Sequence, residues 1–213
     1  MGLPVLIIAP SGYGKSASMR NIPDDIYSVV EVNGKPLPFR TKKKPHNTDS
    51  YQLINRIVTE GKADITVLDD TQYLMANEYM RRAKEAGWEK FTEIGQSFWN
   101  LVNSVQKLPP QKIVYFLHHS ETNDQGVMKA KTIGKMLDEK ISIEGMFTIV
   151  FVAGKTDGKY YFSTQSDGKT PAKTPIGMFD DQFIDNDLFG IDAAIRAYYD
   201  LPAPASVFAE VKE

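Results

Sequence analysis

The chain has 213 residues, of which 42% are hydrophobic and 24% charged, proportions that suit one sizeable globular domain and exclude a disordered chain. Its net charge of −2 gives no bulk signal for nucleic-acid binding, so any such surface must be a local patch. The absence of cysteine excludes disulfides, thiolate metal sites and cysteine nucleophiles. No apolar run approaches the roughly 20 residues of a membrane-spanning helix, so we expect no membrane partner and a cytoplasmic location.

A glycine-rich stretch, APSGYGKS, follows the first apolar run of the chain. Phosphate-binding loops have the pattern Gly, four residues, Gly-Lys-Ser/Thr. Gly14, Lys15 and Ser16 fit this pattern, while Ala9 stands at its first glycine position. The preceding run is predicted to be a central strand, and the residues that follow can be helical. Gly12 and Gly14 lack a Cβ, so the loop can adopt positive φ and turn its backbone N–H groups toward a phosphate.

This loop predicts a site for ATP and Mg²⁺. Lys15 can reach the β- and γ-phosphates as a point charge, and the Ser16 hydroxyl is placed to ligate Mg²⁺. The helix after the loop would add its N-terminal partial positive charge. The predicted nucleotide-binding residues are Ser11, Gly12, Tyr13, Gly14, Lys15, Ser16 and Ala17. The alternative is a glycine-rich turn between a strand and a helix in which the Lys-Ser pair is coincidental.

Short apolar, β-branched runs alternate with stretches of helical character along most of the chain. Strands are predicted over 5–9, 27–32, 65–68, 113–117 and 147–152, and helices over 50–60, 72–86, 90–107 and 132–140. Buried strands that alternate with helices predict an α/β fold, with a mostly parallel sheet and helices on both faces.

The C-terminal third has different signals. Asp157 and Gly158 lie between two strand-like runs and predict a C-terminal β-hairpin, and residues 185–200 are predicted to form a closing helix. We therefore expect a single domain over 1–200 and a peripheral or flexible tail over 201–213.

Three carboxylates are candidates for the chemistry beyond the loop. The apolar run ADITVLDD ends in Asp69 and Asp70, and Asp69 is predicted to order Mg²⁺ together with Ser16. Asp70 could orient the attacking water. Glu31, near the end of the second strand, is an alternative general base, because ligands gather at the carboxyl ends of parallel strands. Otherwise Asp70 caps the next helix and Glu31 is an exposed strand residue.

A histidine is a further catalytic candidate. The strand KIVYFLHH ends in His118 and His119, which could face the γ-phosphate as a sensor of hydrolysis, and His118 is the residue to which we assign this role. The alternative is a histidine that forms only local hydrogen bonds. The predicted catalytic residues are thus Lys15, Asp70, Glu31 and His118.

Lysine clusters are the candidate contacts with other molecules. The segment 34–49, expected to be flexible because of its prolines, contains three consecutive lysines at 42–44. Further lysines occur later, at Lys129, Lys131, Lys169 and Lys173. Either these form a solvated face, or some contact a nucleic-acid backbone while one reaches the ATP of a neighbouring subunit.

Five stretches together, APSGYGKS, GKPLPF, ITVLDD, TIGKMLDEKISIEG and KTPAKTPIGMF, resemble phage-encoded RecA-like P-loop ATPases, which include the Sak-type single-strand annealing proteins. The likeness extends from the N-terminus to about Tyr199. It implies a RecA-like P-loop NTPase core, ATP at Lys15 and Ser16, and Mg²⁺ at Asp69. It also implies a homo-oligomer, single-stranded DNA as partner, annealing as activity and, for a phage protein, a location in the host cytoplasm.

Three functions are compatible with these features. The first is an ATP-hydrolysing phage recombination protein that binds single-stranded DNA and promotes annealing. The second is a small-molecule P-loop kinase, for which a lid with several arginines near the phosphates is expected and none occurs between 121 and 174. The third is a nucleotide-regulated structural or packaging module with little turnover.

Overall fold

Nine strands and four α-helices follow one another in the computed structural model, which describes residues 1–134 and 140–207. The strands are β1 (Leu3–Ala9), β2 (Tyr27–Glu31), β3 (His46–Asn47), β4 (Ile65–Asp69), β5 (Ile113–Thr122), β6 (Met128–Ala130), β7 (Ile149–Thr156), β8 (Lys159–Ser163) and β9 (Phe183–Asp185). The helices are α1 (Tyr51–Glu60), α2 (Gln72–Arg81), α3 (Glu89–Val105) and α4 (Leu188–Tyr198), with 3-10 helices at Ser16–Asn21 and Ile143–Met146. The helix predicted over 132–140 falls mainly on 135–139, outside the described residues.

The strands form one mixed sheet in the order β3-β2-β4-β5-β1-β7-β8-β9, with β6 paired to β5. The strands from β3 to β7 in this order are parallel, whereas β6, β8 and β9 pair antiparallel. The predicted α/β class with a mostly parallel sheet is therefore confirmed. Because parallel strands point the same way, the carboxyl ends of β1, β2, β4 and β5 meet at one edge of the sheet.

Buried side chains form two clusters, one on each face of the sheet. Along β1, Leu6 and Ile8 belong to one cluster and Val5 and Ile7 to the other, as the alternation of side chains along a strand requires. Helices α1, α2 and α3 contribute to the first cluster and α4 to the second. Helices thus cover both faces, as predicted.

The residues after the glycine-rich loop form a six-residue 3-10 helix rather than an α-helix. It ends at Ile22, whose backbone is extended with φ −72° and ψ 123°. Ile22 precedes Pro23, and a residue before proline is sterically pushed out of the helical region. Because such a short helix aligns few peptide dipoles, the helix contribution expected for phosphate binding is small.

The C-terminal hairpin is confirmed. β7 and β8 pair antiparallel around Asp157 and Gly158, whose φ angles of 50° and 79° suit a two-residue turn that matches the strand twist. The start of the predicted tail packs against the domain: the Ala205 N–H donates to an Asp64 carboxyl oxygen at 3.1 Å. None of the helices in the described residues combines the length and the hydrophobicity of a membrane-spanning segment.

Candidate functional site

A cavity of about 290 Å³ opens at the edge of the sheet where the central parallel strands end. The glycine-rich loop, three carboxylates and part of the segment after β2 surround it. The lining residues are Ser11, Gly12, Gly14, Lys15, Ser16, Ala17, Glu31, Lys35, Pro36, Pro38, Asp69, Asp70, His119 and Tyr160. Most of the predicted site residues are therefore brought together.

The loop has the backbone that its glycines predict. Gly12 and Gly14 have φ angles of 83° and 87°, in the left-handed region that favours glycine. A Cβ at Gly14 would lie 2.8 Å from the Tyr160 ring, whereas one at Gly12 would meet nothing within 4 Å. The hairpin strand β8 thus packs Tyr160 against the loop. Tyr13, predicted to bind the nucleotide, is 40% exposed and does not line the cavity.

Lys15 is buried within its own loop, with 5% of its surface exposed. Its ammonium donates to the carbonyl oxygens of Ala9 at 2.8 Å and Pro10 at 3.0 Å. Because Ala9 contributes through its backbone at the end of β1, the site accepts alanine where the motif has glycine. Burial lowers the pKa of Lys15 to about 8, against the opposing charges of Asp70 and Asp69.

Asp69 ends β4 and is 1% exposed. Its carboxyl group accepts a hydrogen bond from the Ser16 side chain and, at 3.0 Å, from the backbone N–H of Asp70. Burial raises the pKa of Asp69 to about 6, although the Ser16 hydrogen bond acts in the opposite direction. The two predicted Mg²⁺ ligands are therefore in contact.

The Ser16 hydroxyl and the Asp69 carboxyl group suit Mg²⁺ that is bound together with phosphate, and not a metal ion held by protein ligands alone. In the described part of the chain, no three His, Asp or Glu side chains are grouped to hold a metal ion. Mg²⁺ in phosphate sites uses one or two protein oxygens and completes its shell with substrate phosphates and water. The Ser16 hydroxyl and the buried Asp69 carboxylate beside the glycine-rich loop meet that requirement.

Asp70 is held as an anion by three donors. Its carboxyl oxygens accept from Lys35 Nζ at 2.8 Å, His119 Nε2 at 3.0 Å and Asn33 Nδ2 at 3.3 Å. Burial alone would raise its pKa, but the bonds from His119 and Lys35 hold it below its usual range. Its φ of 61° is unusual for a residue with a Cβ. The N-cap residue of α2 is Thr71, and the Asp70 carboxyl oxygens bond to Lys35, His119 and Asn33, so the capping alternative does not describe Asp70.

Glu31 is in the opposite electrostatic state. It ends β2 directly beside Asp69, is 3% exposed, and accepts only a long 3.4 Å bond from the backbone N–H of Asn33 among the hydrogen bonds of the described residues. Burial, reinforced by the negative charges of Asp69 and Asp70, raises its pKa to about 7. Glu31 is thus a buried carboxyl that can exchange a proton near neutral pH.

The two histidines lie in the middle of β5, which extends to Thr122, and face opposite ways, as neighbours on a strand must. His118 is fully buried: Nδ1 lies 2.8 Å from Thr71 Oγ1, and Nε2 lies 2.8 Å from the carbonyl oxygen of Lys131. Burial lowers its pKa to about 4. The structure therefore places His118 away from the cavity and His119 at its lining.

Lys35 and Asn33 are site residues that the sequence interpretation missed. Both lie just after β2, and Lys35 falls in the segment 34–49, which we expected to be flexible but which makes defined contacts. Their position immediately beyond a strand's carboxyl end is the signal that could have found them.

The three lysines at 42–44 lie elsewhere. They line a second groove of about 770 Å³, near the amino ends of β2 and β4, together with Lys62 and His46. The ammonium of Lys43 donates to the Asp24 carbonyl oxygen at 2.6 Å and lies 4.6 Å from the centre of the Tyr27 ring. The cavity at the glycine-rich loop and this groove are therefore separate.

Comparison with known proteins gives no family for this chain. No model of a protein family matches it, and no curated protein matches it. Its function is therefore argued from the chemistry of the cavity, since a fold alone does not determine an activity.

Proposed function

We propose that this protein binds ATP with Mg²⁺ and hydrolyses the terminal phosphate. The observation that carries the proposal is the meeting of Lys15, Ser16 and Asp69 at a loop whose glycines have positive φ. A lysine, a hydroxyl and a buried carboxylate at such a loop are the groups that a magnesium–polyphosphate complex requires.

The loop supports binding of the phosphate groups. Positive φ at Gly12 and Gly14 lets consecutive backbone N–H groups converge on one point, which favours an anion. The Lys15 ammonium, now bonded to two carbonyl oxygens, would exchange these neutral acceptors for charged phosphate oxygens, which form stronger bonds. Ser16 and Asp69 would hold Mg²⁺, which neutralises phosphate charge.

Of the two candidate bases, the geometry favours Glu31. Both oxygens of Asp70 already accept hydrogen bonds, whereas Glu31 is nearly free of donors and has its pKa raised to about 7. In the proposed step, the water oxygen bonds to the γ-phosphorus and the bond to the β–γ bridging oxygen breaks. ADP keeps that electron pair, and Glu31 takes a proton from the water.

The lining favours hydrolysis over transfer to a small acceptor. Among the described residues, no arginine lines the cavity, and the lysines that line it are Lys15 and Lys35. A lid with several arginines, as expected for a small-molecule kinase, is not part of this lining. Water is accordingly the proposed acceptor.

We propose single-stranded DNA as the partner and annealing as the outcome, on the basis of the resemblance to phage annealing proteins. The groove lined by lysines 42–44, Lys62 and His46 supports this part of the proposal. Clustered lysines bind a phosphodiester backbone without reading its sequence, which suits an annealing protein. Assembly into a homo-oligomer belongs to the same proposal.

The first test is ATP turnover by the purified protein with and without Mg²⁺. We expect turnover that requires Mg²⁺ and is lost in Lys15→Ala, because this change removes the ammonium that contacts the phosphates. The matched control is Lys107→Ala, an exposed lysine that does not line the cavity. Unchanged turnover in Lys15→Ala, or none in the wild-type protein, would overturn the assignment.

A further inference from the structure

We propose that Lys35 contacts the terminal phosphate of the bound nucleotide and thereby distinguishes a nucleoside triphosphate from a diphosphate. This inference rests on the proposed function and assigns a further residue to the same site. It arises from the position of Lys35, whose side chain lines the cavity together with Lys15 and Ser16 although it comes from the segment after β2.

Lys35 adds a second protein ammonium to a cavity lined by acids. Three carboxyl groups, Glu31, Asp69 and Asp70, line it, against the ammonium groups of Lys15 and Lys35. Without Lys35, the positive charge facing a bound polyphosphate would come from Lys15 and the proposed Mg²⁺. Because opposite charges attract at short range, the Lys35 ammonium adds to this attraction for the terminal phosphate.

Lys35 can leave its present partner at little cost. Its ammonium lies 2.8 Å from Asp70 Oδ2, and 57% of its side chain is exposed. Asp70 keeps two other donors if Lys35 moves, Asn33 on Oδ2 and His119 on Oδ1. The buried carboxylate therefore stays satisfied, and the exchange replaces one charged acceptor with another.

The backbone around Lys35 is held at the mouth of the cavity. Lys35 precedes Pro36, and the proline ring restricts the backbone of Lys35 to extended conformations. Pro36 and Pro38 both line the cavity, so the segment runs along its rim. Asn33, two residues earlier, is tied to Asp70. These contacts let the flexible side chain, rather than the backbone, make the movement from Asp70 to a phosphate.

The test compares the dissociation constants of AMP-PNP and ADP, each with Mg²⁺, for the wild-type protein, Lys35→Ala, Lys35→Gln and Lys35→Arg. We expect both neutral variants to bind AMP-PNP about tenfold or more weakly, the size of one charge-assisted hydrogen bond, and to bind ADP within about twofold of wild type. Lys35→Arg keeps the charge and should keep the preference. ATP turnover of the neutral variants should fall by about 10²-fold.

The variant Asp70→Asn distinguishes two roles for Lys35, a contact with the phosphate and an ion pair that only supports the structure. This change frees the Lys35 ammonium without removing it, so the preference for AMP-PNP over ADP should be retained. If the pair is only structural, Asp70→Asn and Lys35→Ala will weaken both nucleotides alike, and the role of Lys35 is refuted. Equal effects of Lys35→Ala on AMP-PNP and ADP, or no effect, refute it as well.

Binding by the wild-type protein distinguishes a failure of the proposed nucleotide function from a failure of the role of Lys35. If it binds neither AMP-PNP nor ADP, the proposed nucleotide function itself fails. If it binds both, and Lys107→Ala behaves like wild type while Lys35→Ala shows no selective loss, only the role of Lys35 fails.

Discussion

Glu31 and Asp70 line the same cavity, yet their surroundings drive their protonation in opposite directions. Asp70 has three donors and a depressed pKa, whereas Glu31 is buried beside two other acids and has its pKa raised to about 7. A buried carboxyl with a raised pKa stabilises the fold only while it holds its proton. The same residue that is suited to accept a proton is therefore a source of instability.

This conflict makes the stability effect of Glu31→Gln dependent on pH. Between about pH 4.5 and 7 the folded state binds more protons at Glu31 than the unfolded state, so stability falls as pH rises. The neutral variant escapes this loss. Its gain in unfolding free energy should be larger at pH 8 than at pH 5 by on the order of 2 kcal/mol.

Urea unfolding at the two pH values measures this difference, and ATP turnover of the same variant should fall by about 10²-fold or more. Equal stability changes at both pH values would show that Glu31 is not a buried acid with a raised pKa. Full turnover in Glu31→Gln would assign the base to another group.

Alanine substitutions at the two loop glycines distinguish the energy of backbone strain from the energy of side-chain crowding. Gly12→Ala should lower the unfolding free energy by about 1–2 kcal/mol, the energy of placing a Cβ at positive φ. Crowding adds nothing to this value, because no atom lies within 4 Å of the added Cβ. Gly14→Ala has the same strain and an added contact of 2.8 Å with Tyr160, so it should cost more. Urea unfolding of both variants, with Gly14→Ala also in a Tyr160→Ala background, gives the two contributions. Equal costs in the single variants would contradict the packing of Tyr160 on the loop.

At the scale of elements, α4 is fastened to the sheet by a buried polar triad. Tyr115 on β5 donates to Asp192 at 2.8 Å, and Arg196 Nε donates to the other oxygen of Asp192 at 2.5 Å. The Arg196 guanidinium also donates to the carbonyl oxygens of Gln111 and Pro202, each at 3.0 Å. Asp192 thus links α4 to β5, and its partner Arg196 links the same helix to the start of the C-terminal segment.

Removing the Asp192 carboxylate should strongly destabilise the fold. Asp192→Ala leaves the buried Arg196 charge without its partner, and we expect a loss of about 3–5 kcal/mol in unfolding free energy. The control is Arg56→Ala, which breaks a solvent-exposed pair with Glu60 and should change little. If the two variants unfold at similar urea concentrations, the triad does not stabilise the docking of α4.

The sequence predicts the long elements of this fold and misses the short ones. Apolar periodicity identifies five of the parallel-sheet strands, and Asp157-Gly158 identifies the hairpin, because these signals are local. Strands β3, β6 and β9 have two or three residues each, too few for a period to be recognised.

Some residues of the site can be predicted from a local sequence pattern, whereas the placement of others depends on tertiary packing. Lys15, Ser16 and Asp69 are predictable from spacing, since a motif places them relative to a strand. Alternation along β5 shows that only one of His118 and His119 can face the cavity. It does not show which one, because that choice depends on where α2 and α3 pack.

At the scale of the whole molecule, the order of the strands is a property that no local pattern contains. β5 lies between β1 and β4, so the strand before the glycine-rich loop and the strand that ends in Asp69 are not neighbours. The cavity spans this width of the sheet at the carboxyl ends of the strands, while the lysine groove lies toward their amino ends. The segment after β2 connects the two, from Lys35 to the lysines at 42–44.

If the groove binds single-stranded DNA, Lys42→Glu with Lys44→Glu should weaken that binding. Lys43 is left in place because its ammonium supports local structure. Each lost phosphate contact should reduce the slope of log binding constant against log salt by about 0.7. Titrations across a salt series measure both effects, and Lys84→Glu with Lys107→Glu is the control, since these exposed lysines do not line the groove. An equal loss in both pairs would place the DNA elsewhere.

The two ends of the sheet also limit how copies of this chain can associate. β3 at one end has two residues and follows Lys44 and Pro45, and β9 at the other end has three. Both of these strands are short, and β3 also follows a lysine and a proline, features that protect a sheet from joining another by strand pairing. A homo-oligomer of this protein would therefore be built by docking of side-chain surfaces, and its concentrated solutions should resist growth into continuous β-structure.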